Sequence, residues 1–192
     1  DVYKRQGGDV ATAEQLYEEG AFAESEDVLR EVVQDDPEDA EARKDLARVL
    51  AAQGNIEGAI EEYHYVIQAN PDDTGAFKEV ALLERQIGLA DEAASHLEVA
   101  AAGGTDPWLW DELARTYLQL GREGDAAEAW ARLLEAADLS DEERKSVLIM
   151  QAEAYLEADM ADHGSAAYEA ALEVDPSDQN VRERLAELSG DV

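Results

Sequence analysis

The side chains best suited to metal binding or proton transfer in this sequence are three histidines, His64, His96 and His163. An imidazole can bind a transition metal or move a proton near neutral pH, provided that further ligands or a carboxylate are held close to it. More than thirty residues separate each histidine from the next, and none has a carboxylate partner at ligand spacing. We therefore expect all three to be ordinary surface or packing residues.

Acidic pairs are the other candidates, because two carboxylates can share acid–base work or hold a metal ion. Glu61 with Glu62 and Asp72 with Asp73 are examples, but a chain with 47 acidic residues contains such pairs by necessity. The glycines of the segment GGTDP do not follow a predicted strand, as those of a phosphate-binding loop would. The absence of cysteine excludes thiolate nucleophiles and thiolate metal sites. We expect no catalytic residue, no metal site and no cofactor.

The net charge of the 192-residue chain is −32, from 47 acidic and 15 basic residues. A nucleic-acid backbone is bound by basic surfaces, so nucleic acid is not an expected partner. Strong acidity with few lysines is typical of proteins from salt-loving organisms, where salt screens self-repulsion, and it also occurs in ordinary acidic bacterial proteins. The sequence leaves both origins open. Apolar stretches such as SVLIM are too short to insert into a membrane, whereas an apolar content of 45 % can form a core.

The first residues, DVYKRQ, do not begin with methionine. We expect residues 1–5 to be a non-native or disordered segment and the true N-terminus to be missing, which leaves a signal peptide open. The cytoplasm is slightly favoured as the location, with export left open.

A fixed interval of seventeen residues recurs along the chain. It joins Gly20 to Pro37, Gly54 to Pro71, and Asp159 to Pro176, with aspartate in place of glycine in the last case. Extended upstream, the interval defines five units whose starts are 34, 34, 33 and 38 residues apart. Periods of this length are typical of stacked helical pairs.

Each unit reads as two amphipathic helices, A and B, joined at the glycine or aspartate and followed in three units by the proline. One small residue in helix A matches one in helix B twelve positions later, which lets the two helices approach closely. These pairs are Ala13 with Ser25, Ala47 with Ala59, Ala81 with Ala93, Ala114 with Ala126, and Ala152 with Gly164.

The fourth unit carries the most specific pattern. The segment WDELARTY, from Trp110 to Tyr117, is followed by Ala126 and Trp130. This pattern resembles the tetratricopeptide repeat, with alanine where the consensus has glycine. The resemblance implies an all-α, right-handed superhelical α-solenoid of stacked antiparallel helix pairs. The repeats within residues 6–176 are expected at about residues 6–39, 40–73, 74–106, 107–144 and 145–178, and a C-terminal capping helix and tail at 177–192.

Two helix ends have local signals of their own. Ser140 with Glu143 predicts a capping box that begins the fifth helix A about one turn early. Ser177 is the predicted cap of the closing helix, whose Leu185 and Ala186 are expected to face inward.

The resemblance also implies that the A helices line a concave groove and the B helices form the outer surface. The predicted B helices carry only two basic residues, Arg30 and Arg132, among many acidic ones. The A helices of the second to fourth units are balanced. Their basic residues are Arg43, Lys44, Arg48, Lys78, Arg85 and Arg115, and their acidic residues are Glu41, Asp45, Glu79, Glu84, Asp111 and Glu112.

We interpret the chain as a non-catalytic scaffold that binds a protein or peptide in this groove, as a monomer or with weak self-association. Two alternatives stay open: a structural or assembly subunit of an envelope or secretion-type complex, and a regulatory or targeting region of an enzyme on missing sequence. The basic groove residues are expected to meet a partner's carboxylates, or else to pair with acids of the chain itself, while Leu82, Trp108 and Leu118 take an apolar side chain. The partner-binding residues implied by the resemblance are Lys44, Arg48, Lys78, Leu82, Arg85, Trp108, Arg115 and Leu118.

Overall fold

The computed structural model describes residues 9–189, which form eleven α-helices and no strand. The all-α fold class predicted from the periodicity is confirmed, whereas residues 1–5 and the last three residues of the predicted tail lie outside the described part. The helices are α1 (Val10–Glu18), α2 (Phe22–Asp35), α3 (Ala40–Ala52), α4 (Ile56–Ala69), α5 (Thr74–Gln86), α6 (Ala90–Gly103), α7 (Leu109–Gln119), α8 (Glu123–Ala136), α9 (Asp141–Glu157), α10 (Ala161–Val174) and α11 (Gln179–Ser189). None of them combines the length and apolar character that a bilayer-spanning helix needs.

Short polar side chains begin several of these helices. The side chain of Asp39 accepts a hydrogen bond from the backbone N–H of Ala42 in α3, and that of Asp73 accepts one from Ala76 in α5. These N–H groups lie in the first turn and have no partner inside the helix. Ser140 and Glu143 form the predicted capping box at the start of α9. Because this box lies ahead of Lys145, α9 is 17 residues long, and the expected early start is confirmed.

The turn between helix A and helix B depends on one residue with a positive φ angle. Gly20, Gly54, Gly88 and Gly121 occupy it with φ between 67° and 84°, and Asp159 occupies the corresponding place with φ 58°. A left-handed backbone is nearly free of steric cost for glycine and strained for other residues. The interval found in the sequence therefore marks a backbone requirement, which Asp159 meets at a cost.

Proline ends three of the B helices. The residues before Pro37, Pro71 and Pro176 have almost the same backbone angles, with φ from −134° to −129° and ψ from 87° to 89°. The ring of a following proline disfavours the helical region for the preceding residue, so the helix stops there. The predicted role of the prolines is confirmed.

The small-residue pairs lie where paired helices touch. Every member is buried, and Ser25 donates its hydroxyl hydrogen to the carbonyl oxygen of Ala13 across the α1–α2 contact at 2.7 Å. A Cβ atom added to Gly164 would lie 2.8 Å from Leu156 and 3.1 Å from the carbonyl oxygen of Ala152. The α9–α10 contact therefore leaves no space for a larger side chain at this place.

The chain divides into two compact units, one ending at Gly103 and the other beginning at Gly104. In the first unit each of the helices α1 to α6 packs on the next, and α1 also contacts α3. The inward faces of α1 to α5 form one apolar cluster that includes Leu16, Leu29, Leu46, Leu50, Tyr63 and Val80. Burial of each large apolar side chain contributes about 1.5 to 3 kcal/mol.

In the second unit α7 to α11 pack in the same sequential way. Its last helix was only partly predicted. Asp178, not Ser177, accepts the backbone N–H groups of Asn180 and Val181, so the predicted cap is wrong by one residue. Leu185 packs against the core as expected, but the buried residue of α11 is Val181.

Candidate functional site

The first unit holds five of the predicted partner-binding residues, on two A helices. Lys44 and Arg48 lie one turn apart on α3, while Lys78, Leu82 and Arg85 follow one another at helical spacing on α5. Arg48 is exposed and the other four are half-buried. The helix period therefore places these side chains on shared faces, between the buried residues and the solvent.

Lys44 forms ion pairs inside the chain. Its Nζ lies 2.6 Å from a carboxylate oxygen of Glu41 and 3.2 Å from one of Asp73, the residue that caps α5. The hydrogen bond to Glu41 is the largest cause that raises the pKa of Lys44, and Asp73 adds to it. The lysine thus joins α3 to the start of the next A helix, and a partner's carboxylate would compete with these two acids.

Arg48 is also paired, but within its own helix. Its guanidinium donates to Asp45 at 3.0 Å and lies over the ring of Tyr17, 5.2 Å from the ring centre. Burial raises the pKa of Asp45, an effect that the nearby guanidinium only partly offsets. The exposed Arg48 therefore neutralises a partly desolvated acid.

The second unit holds the other three predicted residues. Trp108 and Leu118, at either end of α7, are exposed by 43 % and 38 %. Arg115 donates to Asp111 at 2.7 Å, and the hydrogen bond raises the pKa of the guanidinium. The same carboxylate accepts the indole N–H of Trp130 at 2.8 Å. Asp111 thereby fixes both a surface arginine and a buried aromatic ring.

A cleft of about 160 Å³ lies beside these groups in the second unit. Apolar atoms of Leu118, Met150 and Trp130 line it together with charged side chains. Met150 is half-buried here. The complete lining is Arg115, Leu118, Trp130, Met150, Glu153, Ala154 and Glu157. The cleft is large enough for one apolar side chain and has charges of both signs around it.

Sequence reasoning missed one polar cluster in the first unit. Glu84 is one of the acidic residues counted on the A helices, and it is buried. The expectation that the histidines have no carboxylate partner is wrong, because Glu84 lies 2.7 Å from His96 and 3.6 Å from His64. The missed signal was the twelve-residue interval, which joins Glu84 to His96 as it joins Ala81 to Ala93.

The comparisons with known proteins agree with this architecture. Residues 8–83 match the family model described as a tetratricopeptide repeat. A solved structure titled YrrB, a TPR protein with an unusual peptide-binding site, superposes with a TM-score of 0.68 at 12 % identity, covering 100 % of this chain and 96 % of its own. Residues 8–83 belong to the tetratricopeptide repeat family, and the described helices have the tetratricopeptide repeat fold. Proteins of this family are generally non-catalytic scaffolds for protein–protein interaction.

Two further relatives show how far the similarity extends. MamA from Desulfovibrio magneticus RS-1 superposes with a TM-score of 0.63 at 17 % identity, covering 90 % of this chain and 98 % of its own. Cellulose synthase operon protein C of Pseudomonas fluorescens is 33 % identical over 128 residues, which are 65 % of this chain. This tetratricopeptide repeat chain spans only 10 % of the length of that curated relative.

Proposed function

We propose that the chain binds a peptide or partner segment on the A helices of its second unit, with the cleft between α7 and α9 as the place for an apolar anchor. The observation that carries the proposal is the cleft itself, where the exposed Leu118 and the half-buried Met150 surround a space of about 160 Å³. Exposed apolar groups around a concavity are typical of binding surfaces.

The charges around the cleft indicate what should flank the anchor. Arg115 is already paired with Asp111, whereas Glu153 and Glu157 add negative charge to the lining. The net charge of −32 also attracts cations at long range. A partner segment with lysine or arginine beside its apolar anchor therefore fits better than the acidic segment suggested by the basic residues alone.

The free energies of the available contacts indicate that the apolar anchor supplies most of the affinity. An exposed ion pair contributes about 0 to 1 kcal/mol, and a micromolar complex requires about 8 kcal/mol. Complete burial of one leucine-sized side chain supplies about 1.5 to 3 kcal/mol. The cleft is therefore expected to dominate recognition, and the paired cation Arg115 in its lining to adjust the affinity.

The test uses a phage-displayed library of random 16-residue peptides selected on the whole chain. The affinity of an enriched peptide is then measured by fluorescence anisotropy for the parent protein, for Leu118→Asp and for Leu188→Asp. Leu188 is a matched control, because it is also 38 % exposed but lies on α11. We expect at least a tenfold loss for Leu118→Asp and no change for Leu188→Asp, with unchanged circular dichroism. Equal affinities, or no enriched peptide, would contradict the proposal.

A second candidate function is that of a repeat segment within a larger assembly protein. The match to a tenth of cellulose synthase operon protein C favours it, because that relative is a far longer chain. Light scattering during size-exclusion chromatography separates the two candidates. A scaffold for a foreign peptide elutes as a 21.0 kDa monomer, whereas an assembly segment forms concentration-dependent oligomers without added peptide.

A further inference from the structure

Two imidazoles and one carboxylate meet in the first unit, each from a different helix. His64 lies on α4, Glu84 on α5 and His96 on α6. One ligand atom from each residue lies within 4.8 Å of the other two. Nδ1 of His96 is 2.7 Å from one carboxylate oxygen of Glu84, and Nε2 of His64 is 3.6 Å from the other.

The exposure of the three side chains decreases from the surface to the interior. The side chain of His64 is 49 % exposed, that of His96 22 % and that of Glu84 only 2 %. The His96 ring also packs against Phe77, with ring centres 5.7 Å apart, which restricts its position. A desolvated carboxylate is costly unless cations or donors compensate it, so this arrangement needs a positive or donating group beside Glu84.

We propose that His64, Glu84 and His96 bind one divalent transition-metal ion, with Zn²⁺ as the reference ion. Zinc binds imidazole nitrogen and carboxylate oxygen at about 2.0 to 2.2 Å, so neighbouring ligand atoms in a tetrahedral site lie about 3.3 Å apart. The two distances at Glu84, 2.7 and 3.6 Å, bracket that value. Small side-chain rotations therefore bring the three ligands to one ion, with a fourth position left on the side of His64.

The donor set selects the class of ion. Imidazole suits Zn²⁺, Ni²⁺, Co²⁺ and Cu²⁺, whereas Mg²⁺ and Ca²⁺ prefer sites built entirely of oxygen. Surface carboxylates of this acidic chain attract any divalent cation weakly, but two imidazoles discriminate against the alkaline-earth ions. Preference for Zn²⁺ over Mg²⁺ is thus the property that distinguishes this site from the rest of the surface.

The site would connect three consecutive helices. An ion held by α4, α5 and α6 stabilises the native packing of the second helix B on the third helical pair, since a ligand that binds only the folded state raises stability by mass action. The competing explanation is that the two imidazoles serve only as hydrogen-bonding partners of the buried Glu84. That explanation predicts no selective binding of transition metals.

The test is calorimetric titration of the chelator-treated chain with ZnCl₂ in 10 mM MgCl₂, which occupies weak carboxylate sites. We expect one tight Zn²⁺ per chain in the parent protein and at least a tenfold weaker affinity in His64→Ala. The matched control is His163→Ala, because His163 lies on α10 against Tyr155 in the other unit. His163→Ala should bind Zn²⁺ like the parent.

A second measurement covers variants that fold poorly. His96→Ala leaves the buried Glu84 without its closest partner, so its folding is checked by circular dichroism, whereas the half-exposed His64 can be replaced without that risk. Co²⁺ bound to the parent should give visible absorption bands that His64→Ala lacks. Equal Zn²⁺ affinity in the parent and His64→Ala, or no binding above the level of Mg²⁺, would overturn the metal site and leave the peptide-binding proposal untouched.

Discussion

Asp159 holds a backbone conformation that four glycines hold elsewhere in the chain, with φ 58°. A residue other than glycine loses about 1 to 2 kcal/mol of stability in the left-handed region. Part of this loss is offset, because a chain with aspartate at this place has less conformational entropy when unfolded than a chain with glycine. We therefore expect Asp159→Gly to raise the free energy of unfolding by about 1 kcal/mol, measured by urea denaturation.

The reverse change provides the control. Gly54 has φ 84°, and a Cβ added there would meet no atom within 4 Å. Gly54→Ala should therefore lower stability through the backbone angle alone. If Asp159→Gly were neutral while Gly54→Ala destabilised, side-chain contacts of Asp159 would have to offset its strain.

Gly164 tests the close approach of α9 and α10. Gly164→Ala should lower stability by about 1 to 3 kcal/mol, because its Cβ would overlap Leu156 and approach the carbonyl oxygen of Ala152. Gly124→Ala is the matched control in the preceding helix B, where a Cβ would meet only Ala158 at 3.9 Å. The control should be neutral or slightly stabilising, because alanine favours helix. Equal effects in thermal unfolding would contradict close packing at Gly164.

These residues show which details could be predicted from the sequence. The place of Asp159 and the pairing of Ala152 with Gly164 follow from a repeated interval, since the other units supply the expected residue type. Glu84 and His96 share the same interval, but no other unit has an acid and a histidine there. Comparison of the repeats therefore could not indicate a pair of polar residues that occurs in one repeat alone.

At the scale of elements, Lys44 connects successive A helices. It pairs with Asp73 at the start of α5, and Lys145, about one turn earlier in the repeat, reaches Asp178 at the start of α11. Both lysines lie five residues after the capping residue of their own helix. The charges that the resemblance assigned to a partner therefore also serve contacts between helical pairs.

Lys44→Met should lower the free energy of unfolding by about 1 kcal/mol, because it leaves Asp73 without its cross-helix partner. The pKa of Lys44 is raised in the folded state, so its stabilisation is complete below the ordinary lysine pKa and is lost as the pH rises through the folded-state value. The difference between the parent and Lys44→Met should hold from pH 6 to 9 and shrink above about pH 10.5.

Arg132→Met is the control for that experiment. Arg132 pairs with Glu135 of its own helix, and both side chains are exposed, by 64 % and 70 %, so its replacement should change stability by less than Lys44→Met. Urea titration at several pH values measures both variants. If both variants lost the same free energy of unfolding, the contact between α3 and the start of α5 would stabilise the fold no more than an exposed ion pair does.

Some helix ends could be predicted from the sequence, and others could not. Ser140 with Glu143, and the three prolines, follow strong local rules that need no tertiary context. The start of α11 was misplaced because Ser177 and Asp178 are both good caps, and the choice depends on how Val181 enters the core of the second unit. The contacts of Lys44 likewise required knowledge of which helix lies beside it.

At the scale of the whole molecule, a net charge of −32 sets the response to salt. Repulsion among like charges opposes the compact state, and the Debye length falls from about 10 Å at 0.1 M to about 3 Å at 1 M. We expect the thermal midpoint to rise between 0.05 and 1 M NaCl. A midpoint that falls across this range would show that attractive ion pairs, such as that of Lys44, outweigh the repulsion.

Composition therefore predicted the electrostatic character of the chain, and periodicity predicted the tetratricopeptide repeat fold. The division of the repeats at the proposed boundaries stays a prediction, as do the partner-binding residues. Arg48, Arg115 and Lys44 were identifiable as polar residues on A helices, but their internal partners depend on side-chain positions that spacing does not determine.

The indole of Trp130 gives the protein an optical reporter that needs no label. Its N–H is tied to Asp111 and its ring borders the cleft, so a molecule that enters the space changes the polarity around a fixed fluorophore. In a background with Trp108→Phe and Trp110→Phe, which leaves Trp130 as the one indole of the chain, the emission maximum can follow occupancy of the cleft in real time.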